Sequence, residues 1–400
     1  MLTVDEARAR IRALARRLPS EHVDLVDARG RILRESVVAQ NSIPERPLSL
    51  MDGYAVATSA FSTAAPHRLP VRHESRAGHV VRPLEPNTTM RIFTGAPLPD
   101  GADSVVMQEN VVREESGGES VARFERAPAK GENLRSAGED MQRGDVLLEE
   151  GDALTPARIA LLAQCDRATV RVATRPRVAI LATGDELRIP GSNAREGSIV
   201  EAASYLVRPL VEDAGGVVVE RALVPDDLEA TKRAIASLVG KVDVIVTIGG
   251  VSVGDHDLVK PALEALGATL DFWKVAMRPG KPLAFAKLEE TLFLGLPGNP
   301  VSAFVTFMLF GLPLLKAMQT ARVSDLVPER KALGVGYAHA VGRAEFPRAR
   351  ISPHDDTLVP VSRQASGSVR GLADADGIFF IPEQSPGFEA GALVEFYRFR

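Results

Sequence analysis

The sequence predicts a multidomain α/β protein. It would combine a parallel-sheet α/β domain, a β-rich segment ahead of it and a small C-terminal β-barrel. Three observations predict it. Between Pro176 and Thr320, nearly unbroken apolar runs alternate with helical patterns, the rhythm of a parallel sheet covered on both faces. Between Pro44 and Arg135, short β-like runs are separated by Pro, Gly and Asn. From Val323 to Arg400, short strands follow one another with no long helical pattern.

Taken in order, the chain opens on a helix. Thr3 and Glu6 have capping-box spacing, and Val4, Ala7, Ile11, Leu14 and Ala15 recur near helical period until Pro19 closes it. The stretch through Ala39, with Gly30, reads as a hairpin or a crossing strand. In the β-rich part the strands are Tyr54–Ala57, Val80–Val81, Met90–Thr94, Ser104–Glu109 and Ser120–Phe124. Thr155 caps a helix with Pro156 at its first position. In the α/β part the strands are RVAILAT, DVIVTIGG, LAFAKL and TLFLGLPG. The helices there are Tyr205–Ala214, Leu228–Val239, His256–Leu266 and Val301–Met318, with a late start or a kink at Pro209. The closing strands include Leu333–Tyr337, Leu358–Val361, Gly377–Ile381 and Leu393–Tyr397. The boundaries drawn from this are 44–135 for the β-rich part, 176–322 for the α/β domain and 323–400 for the barrel, leaving 1–43 and 136–175 on either side of the β-rich part.

Composition narrows the function classes. The 400 residues are 45% hydrophobic and 25% charged, with a formal net charge of −4, so nothing demands a nucleic-acid partner. Cys165 is the single cysteine, which rules out internal disulfides and Cys-rich metal sites and suits a reducing cytoplasm. It sits in an apolar helical run and reads as a small core residue. The amphipathic N-terminus lacks the apolar core of a secretory signal. No run approaches the roughly 18 apolar residues of a membrane span, and Phe304–Leu315 reads as a buried helix. A soluble, cytoplasmic protein is expected. His67, His73 and His79 form no ligand pattern and read as surface or loop residues. There is no G-x-S-x-G elbow.

In an open parallel sheet, ligands bind at the carboxyl ends of the strands. Three strand ends here carry small polar turns. The first is Thr183-Gly184-Asp185-Glu186, where Gly admits a close ligand and the acids can hold a metal or orient a hydroxyl. On cap preference alone, a helix N-cap at Asp185 is the stronger reading. The second is Gly249-Gly250-Val251-Ser252-Val253-Gly254-Asp255-His256-Asp257. Its free N–H groups make an anion cradle, and its acids can place a cation on a phosphate. It is neither Walker A nor a dinucleotide fingerprint. The third is Leu296-Pro297-Gly298-Asn299-Pro300-Val301-Ser302, a helix start with orphan donors. Upstream, Lys274, Arg278 and Lys281 put three cations within eight residues around a Pro-Gly turn, an anion site or a solvated face. Asp52 and Thr94 each precede a glycine, which turn chemistry explains. Glu139-Asp140 is a further carboxylate pair, and Asp226-Asp227 reads as a helix cap.

These pieces occur together, and in order, in one family. The chain resembles the MoeA-type molybdopterin molybdenumtransferases, related to the E domain of gephyrin, through MDGYAV, RIFTGAPLPDGADSVVMQE, NLRSAGED, AILATGDEL, IGGVSVGDHD, RPGKPLAF and GLPGNPVSAF. The resemblance implies four subdomains: an elongated N-terminal piece made of 1–43 with 136–175, a β-rich lobe (44–135) inserted between those two stretches, the α/β domain (176–322) and the C-terminal β-barrel (323–400). It also implies a homodimer, with the lobe bearing Asp52 and Thr94 facing the partner's α/β domain. It implies an enzyme of molybdenum cofactor biosynthesis that hydrolyses adenylyl-molybdopterin and places molybdenum on the dithiolene, releasing AMP. Mg2+ would be the cofactor and molybdate a substrate, with other cofactor-maturation proteins as further partners.

By the same resemblance Asp52, Thr94, Asp140, Glu186, Asp226 and Asp257 are catalytic, and Glu186, Asp255 and Asp257 hold the metal. Gly184, Asp185, Gly249, Gly250, Ser252, Gly254, Asp255, Pro297, Gly298 and Asn299 bind the pterin substrate. Lys274, Arg278, Lys281, Pro282, Ser302, Arg348 and Ser366 hold molybdate. The chain departs from the family pattern at Arg278, where Lys is usual, at Leu48, and at Glu201-Ala202-Ala203, where Asp and Asn are usual. Two other readings stand beside the transferase: a non-catalytic gephyrin-like scaffold, and a molybdopterin adenylyltransferase.

Overall fold

The computed structural model describes residues 1–62, 65–251, 257–320, 322 and 326–399. Its chain forms two compact units. One comprises residues 1–34, 151–155 and 169–400; the other comprises 35–150 and 156–168.

The first unit is built on a six-stranded sheet. Its strands are β1 (Arg177–Thr183), β2 (Val217–Val224), β3 (Val244–Ile248), β4 (Thr269–Lys274), β5 (Pro282–Leu288) and β6 (Thr291–Leu296), in the order β2-β1-β3-β6-β5-β4. The first four strands in that order are parallel. The LAFAKL strand, expected in the parallel sheet, is β5, and it runs antiparallel to both β6 and β4. Only Glu289 and Glu290 separate β5 from β6. Two residues close a hairpin, whereas a parallel return needs a crossover of a dozen or more.

Alternation along β1 shows why its run is continuously apolar. Val178, Ile180 and Ala182 pack with one buried cluster, and Ala179 and Leu181 with another. The first cluster includes α1 (Ala203–Asp213), the long helix Pro300–Gln319, and Val4, Ala7 and Ile11 of the N-terminal helix. The second takes Ile235 of α2 (Leu228–Ala236) and Ala262 and Leu263 of α3 (Val259–Ala265). Both faces are therefore covered, and each fully buried Val, Ile or Leu contributes about 1.5–3 kcal/mol.

The N-terminal helix is Val4–Leu14, and its capping box is complete: the Thr3 hydroxyl accepts from the Glu6 N–H, and Glu6 from the Thr3 N–H at 2.8 Å. It ends five residues before Pro19. The chain then forms the strand Ser20–Asp24, paired antiparallel with Thr169–Ala173. Helix α1 starts at Ala203 and carries Pro209 inside it, so it does not start late. Helix Pro300–Gln319 exceeds the sequence expectation. By length and composition it could cross a membrane, yet 78% of its apolar window is buried within the protein. It is a core helix, with a π-helical turn at Phe307–Gly311.

The C-terminal strands Glu329–Ala332, Leu393–Arg398, Gly377–Phe379, Arg348–Ile351 and Leu358–Pro360 form one antiparallel sheet in that spatial order. A bridge from Leu333 to Leu358 joins its two outer strands, so the sheet closes on itself around Leu333, Ala349, Phe379 and Phe396. A short helix, Val369–Ala373, was not expected from the sequence.

The second unit has a six-stranded sheet in the order Ser104–Met107, Gly53–Val56, Thr89–Ile92, His67–Ser75, Glu119–Phe124, Val111–Ser116. The strands at His67–Ser75 and Val111–Ser116 were not expected. Val80–Val81 is no strand, and Val80 is fully exposed. His67 is buried, its ring 4.9 Å from that of Phe61, which corrects its reading as a surface residue. The helix Pro156–Gln164 forms as expected. Cys165 follows it, partly buried, with its sulfur 3.6 Å from Met141 Sδ; burial pushes its thiol pKa up.

Candidate active site

The strand order reverses direction between β1 and β3, because β2 and β6 lie on opposite sides of them. Ligands of such sheets bind in the crevice at that switch point. Here the crevice is a cleft of about 470 Å³. The turns after β1, β3 and β6 supply Gly184, Glu186, Gly249, Gly250, Pro297, Gly298 and Asn299 to its lining, and Asp226, after β2, and Asp257 complete it. Asp185 is not part of the lining. Its N–H donates to Asp226 Oδ2 at 3.3 Å, and its Oδ1 accepts from the Asp226 N–H at 3.2 Å, so the two turns brace one another. No helix follows Asp185, which removes the N-cap reading there. In the other acidic pair it is Asp227 that caps α2, accepting from the Ala230 N–H at 2.7 Å. Ser252, Gly254 and Asp255 lie outside the described residues.

Gly249 and Gly250 are required by space. At Gly249, φ is +92° and a Cβ would stand 2.8 Å from the carbonyl oxygen and hydroxyl of Thr183; at Gly250, φ is +65° and a Cβ would stand 2.7 Å from Val259 Cγ2. Thr183 Oγ1 is buried without a hydrogen-bond partner, so a polar donor or acceptor is available at the cleft wall. Sequence reasoning missed Glu201 as a lining residue and named it only as a departure from the family pattern. Among the described residues the cleft is lined by four acids, Glu186, Glu201, Asp226 and Asp257, and by no cation. No group of three or more metal-ligating side chains is assembled among the described residues. The donor set instead suits Mg2+, which takes one or two carboxylates together with substrate phosphate oxygens and water.

A second pocket, of about 430 Å³, has the opposite charge. Arg278, Lys281, Pro282, Ser302, Arg348 and Ser366, all read as oxyanion residues, line it together. Lys274 does not. It ends β4, opposite Pro282 in the ladder, and lies outside the pocket lining. Arg343, Glu345 and Gln364 also line the pocket and were not found from sequence, since nothing local marks them.

Arg348 is 1% exposed. Its Nη2 donates to the carbonyls of Arg363 and Ala365, at 2.7 and 3.1 Å, while Nε and Nη1 are buried with no partner. Burial pulls its pKa below the ordinary arginine value. Two guanidinium nitrogens without partners, on a cation that lines a pocket, are donors left over for a further acceptor. Glu345 is the one acid among the described lining residues. It stands 3.6 Å from Arg278 Nη1 and 3.7 Å from His339 Nε2. Burial, and then the Glu345 charge, push the Tyr337 hydroxyl up to about 12, so it stays protonated.

The two pockets are neighbours. Pro282 lines both, and Pro300 of the acidic cleft is followed directly by Val301 and Ser302 of the basic one.

The remaining candidates lie on the second unit. Asp52 Oδ1 accepts both the N–H and the hydroxyl of Thr94, at 2.8 Å each. The guanidinium of Arg91 lies over the rings of Tyr54 and Phe93, 5.0 and 5.1 Å from their centres. Asp140 has other partners: Gln164 Nε2 donates to it at 2.8 Å, and Arg135 Nη2 is 3.7 Å away.

An acidic, glycine-walled crevice at a switch point, beside an arginine-lined pocket, marks the sheet-bearing part of the first unit as a ligand-binding domain. Three family models match the chain: the MoeA N-terminal region (domain I and II) over residues 2–165, the probable molybdopterin binding domain over 179–317, and the MoeA C-terminal region (domain IV) over 332–399. The molybdopterin molybdenumtransferase of Haemophilus influenzae is 38% identical over 354 residues, 87% of this chain and 85% of that one. That of Bacillus subtilis is 34% identical over 400 residues, 98% and 93% of the two chains. Two solved structures of the molybdopterin biosynthesis MoeA protein from Pyrococcus horikoshii superpose with TM-scores of 0.87 and 0.84. They are 28% and 26% identical, covering 100% of this chain and 99% and 100% of theirs. The chain belongs to the MoeA family of molybdopterin molybdenumtransferases.

Proposed function

We propose that this protein is a molybdopterin molybdenumtransferase that takes adenylyl-molybdopterin and molybdate, inserts molybdenum at the dithiolene and releases AMP. The observation that carries the reading is the pair of adjoining pockets of opposite charge. The acidic cleft is built for a ligand that brings N–H donors and a phosphate-bound cation. The basic pocket, lined by Arg278, Lys281, Arg343 and Arg348, suits a tetrahedral oxyanion.

Within it, Gly249, Gly250 and Gly298 let the substrate approach the backbone closely. Glu186 and Asp257, with Asp255, would hold Mg2+, which supplies charge neutralisation at the phosphate. Asp226 and Asp185 keep the two turns in register. Arg278, Lys281, Ser302, Arg348 and Ser366 hold molybdate next to the site of insertion. Asp52, Thr94 and Asp140 belong to the catalytic set in this reading. The division into 1–43 with 136–175, 44–135, 176–322 and 323–400, a homodimer, contact with other cofactor-maturation proteins, and a cytoplasmic setting are part of the same proposal. A scaffold needs neither the unpaired Arg348 donors nor the four acids, and an adenylyltransferase does not need the oxyanion pocket.

The test is to incubate the purified protein with adenylyl-molybdopterin, magnesium and molybdate, and to measure AMP and active cofactor together. Molybdate-dependent appearance of both is expected. ATP-dependent adenylylation, or absence of AMP, would overturn the assignment. Sedimentation of the same preparation tests the dimer.

A further inference from the structure

Glu201 differs from the other acids of the cleft. Glu186 is exposed, and Asp226 and Asp257 are half-buried, but Glu201 is only 4% exposed. It precedes α1, and its two oxygens accept from a single residue: Oε1 from the Ser204 N–H at 2.7 Å, and Oε2 from the Ser204 hydroxyl at 2.5 Å. No cation pairs with it among the described residues. Arg221 is linked to it through Ser204, donating to Ser204 Oγ at 3.3 Å and stacking over Tyr205 at 4.1 Å. A carboxylate out of water without a cation is costly. Capping α1 does not require it, since Ser, Thr, Asp or Asn in an exposed position does that with a neutral or solvated oxygen. Each oxygen keeps an acceptor position that Ser204 does not fill. What such a carboxylate fits is a pair of adjacent N–H donors on a planar edge.

Building on the reading above, we propose that Glu201 recognises the 2-amino-4-oxo-pyrimidine edge of the pterin, taking its ring N–H and its exocyclic amino N–H on the two carboxylate oxygens. Ser204 orients the carboxylate, and Arg221 fixes Ser204. Glu201 is then a specificity residue: it selects a pterin over a ring that carries a carbonyl in place of the amino group. It takes no part in transfer of the metal.

The experiment uses the full-length protein. Bound molybdopterin is measured after ultrafiltration by conversion to its fluorescent oxidation product. Two competitors with the same 6-substituent are compared, one a pterin and one the corresponding lumazine, which has a carbonyl in place of the amino group. In the unsubstituted protein the pterin should compete at least about tenfold better, the size of a charge-assisted hydrogen bond lost and a repulsion gained. In Glu201→Gln, whose amide keeps an acceptor for Ser204 and offers a donor to the lumazine carbonyl, the preference should vanish or invert. In Glu201→Asp it should survive in weakened form. Equal competition in the unsubstituted protein, or an unchanged preference in Glu201→Gln, would overturn the role of Glu201 and leave the transferase assignment standing. Failure of the unsubstituted protein to bind molybdopterin would overturn the transferase assignment itself. The competitor comparison needs no variant, so poor folding of Glu201→Gln leaves the proposal open to refutation.

Discussion

One oxygen of Asp52 holds Thr94 twice, through the backbone N–H and the hydroxyl, both at 2.8 Å. The backbone donor, then the hydroxyl, lower the Asp52 pKa below its ordinary value of 3.8, with the charge of Arg91 adding a little. A depressed carboxylate stabilises the folded chain above its unfolded pKa, and that stabilisation is lost as pH falls through the folded pKa. Thr94→Val removes the hydroxyl and keeps the backbone donor. The Asp52 carboxyl should then titrate at higher pH, still below the unperturbed value. Side-chain carboxyl NMR across the acid range reads this, and an unmoved midpoint would show that the hydroxyl bond is not made in solution.

Asp226 and Asp227 are neighbours in sequence with separate tasks. Asp227 caps α2, so Asp227→Ala should cost about 1 kcal/mol in denaturant unfolding and leave AMP release nearly intact. Asp226 lines the cleft, and Asp226→Asn should cut AMP release at least about a hundredfold with little change in stability. A reversed pattern would mean that the functional acid has been misassigned.

Arg348 predicts a distinction between charge and shape. Arg348→Lys keeps a cation but loses the planar guanidinium and its several donors, and molybdate binding by calorimetry should weaken at least about tenfold. Arg348→Met also strips a donor from the carbonyls of Arg363 and Ala365 and should destabilise the fold by about 1–3 kcal/mol. Equal molybdate affinity in Arg348→Lys would mean that the oxyanion sits elsewhere.

Gly249 leaves no room for a side chain. Gly249→Ala places a methyl against the Thr183 carbonyl with φ at +92°, so the ends of β1 and β3 must part. Loss of molybdopterin retention is expected, with at least about 1 kcal/mol of destabilisation. Retention equal to that of the unsubstituted protein would show that the turn relaxes freely.

The acidic cleft was legible in sequence because its parts are local. RVAILAT and DVIVTIGG are buried on both faces and read as unbroken apolar runs, and each ends on the glycine turn that lines the crevice. The basic pocket was only half legible. Arg278, Lys281 and Ser302 sit in recognisable turns, whereas Arg343 and Glu345 enter through a pairing that no local pattern announces. Lys274 shows the converse: three nearby cations look like one site, but a strand end separates the first from the others. The strand His67–Ser75 escaped detection because Pro70 and five charged or imidazole side chains mask its alternation. Val111–Ser116 is an edge strand whose polar side chains suit solvent.

Met277 and Arg278 form a short parallel ladder with Ala344 and Glu345. One wall of the basic pocket therefore comes from the α/β core, with Arg278 and Lys281, and the other from a later stretch of the chain, with Arg343 and Arg348. Neither stretch alone supplies the charge around the cavity, so its positive field is a product of tertiary assembly. A one-residue slip in that short ladder would pull Arg278 out of register with Glu345 and redistribute the charge on both walls.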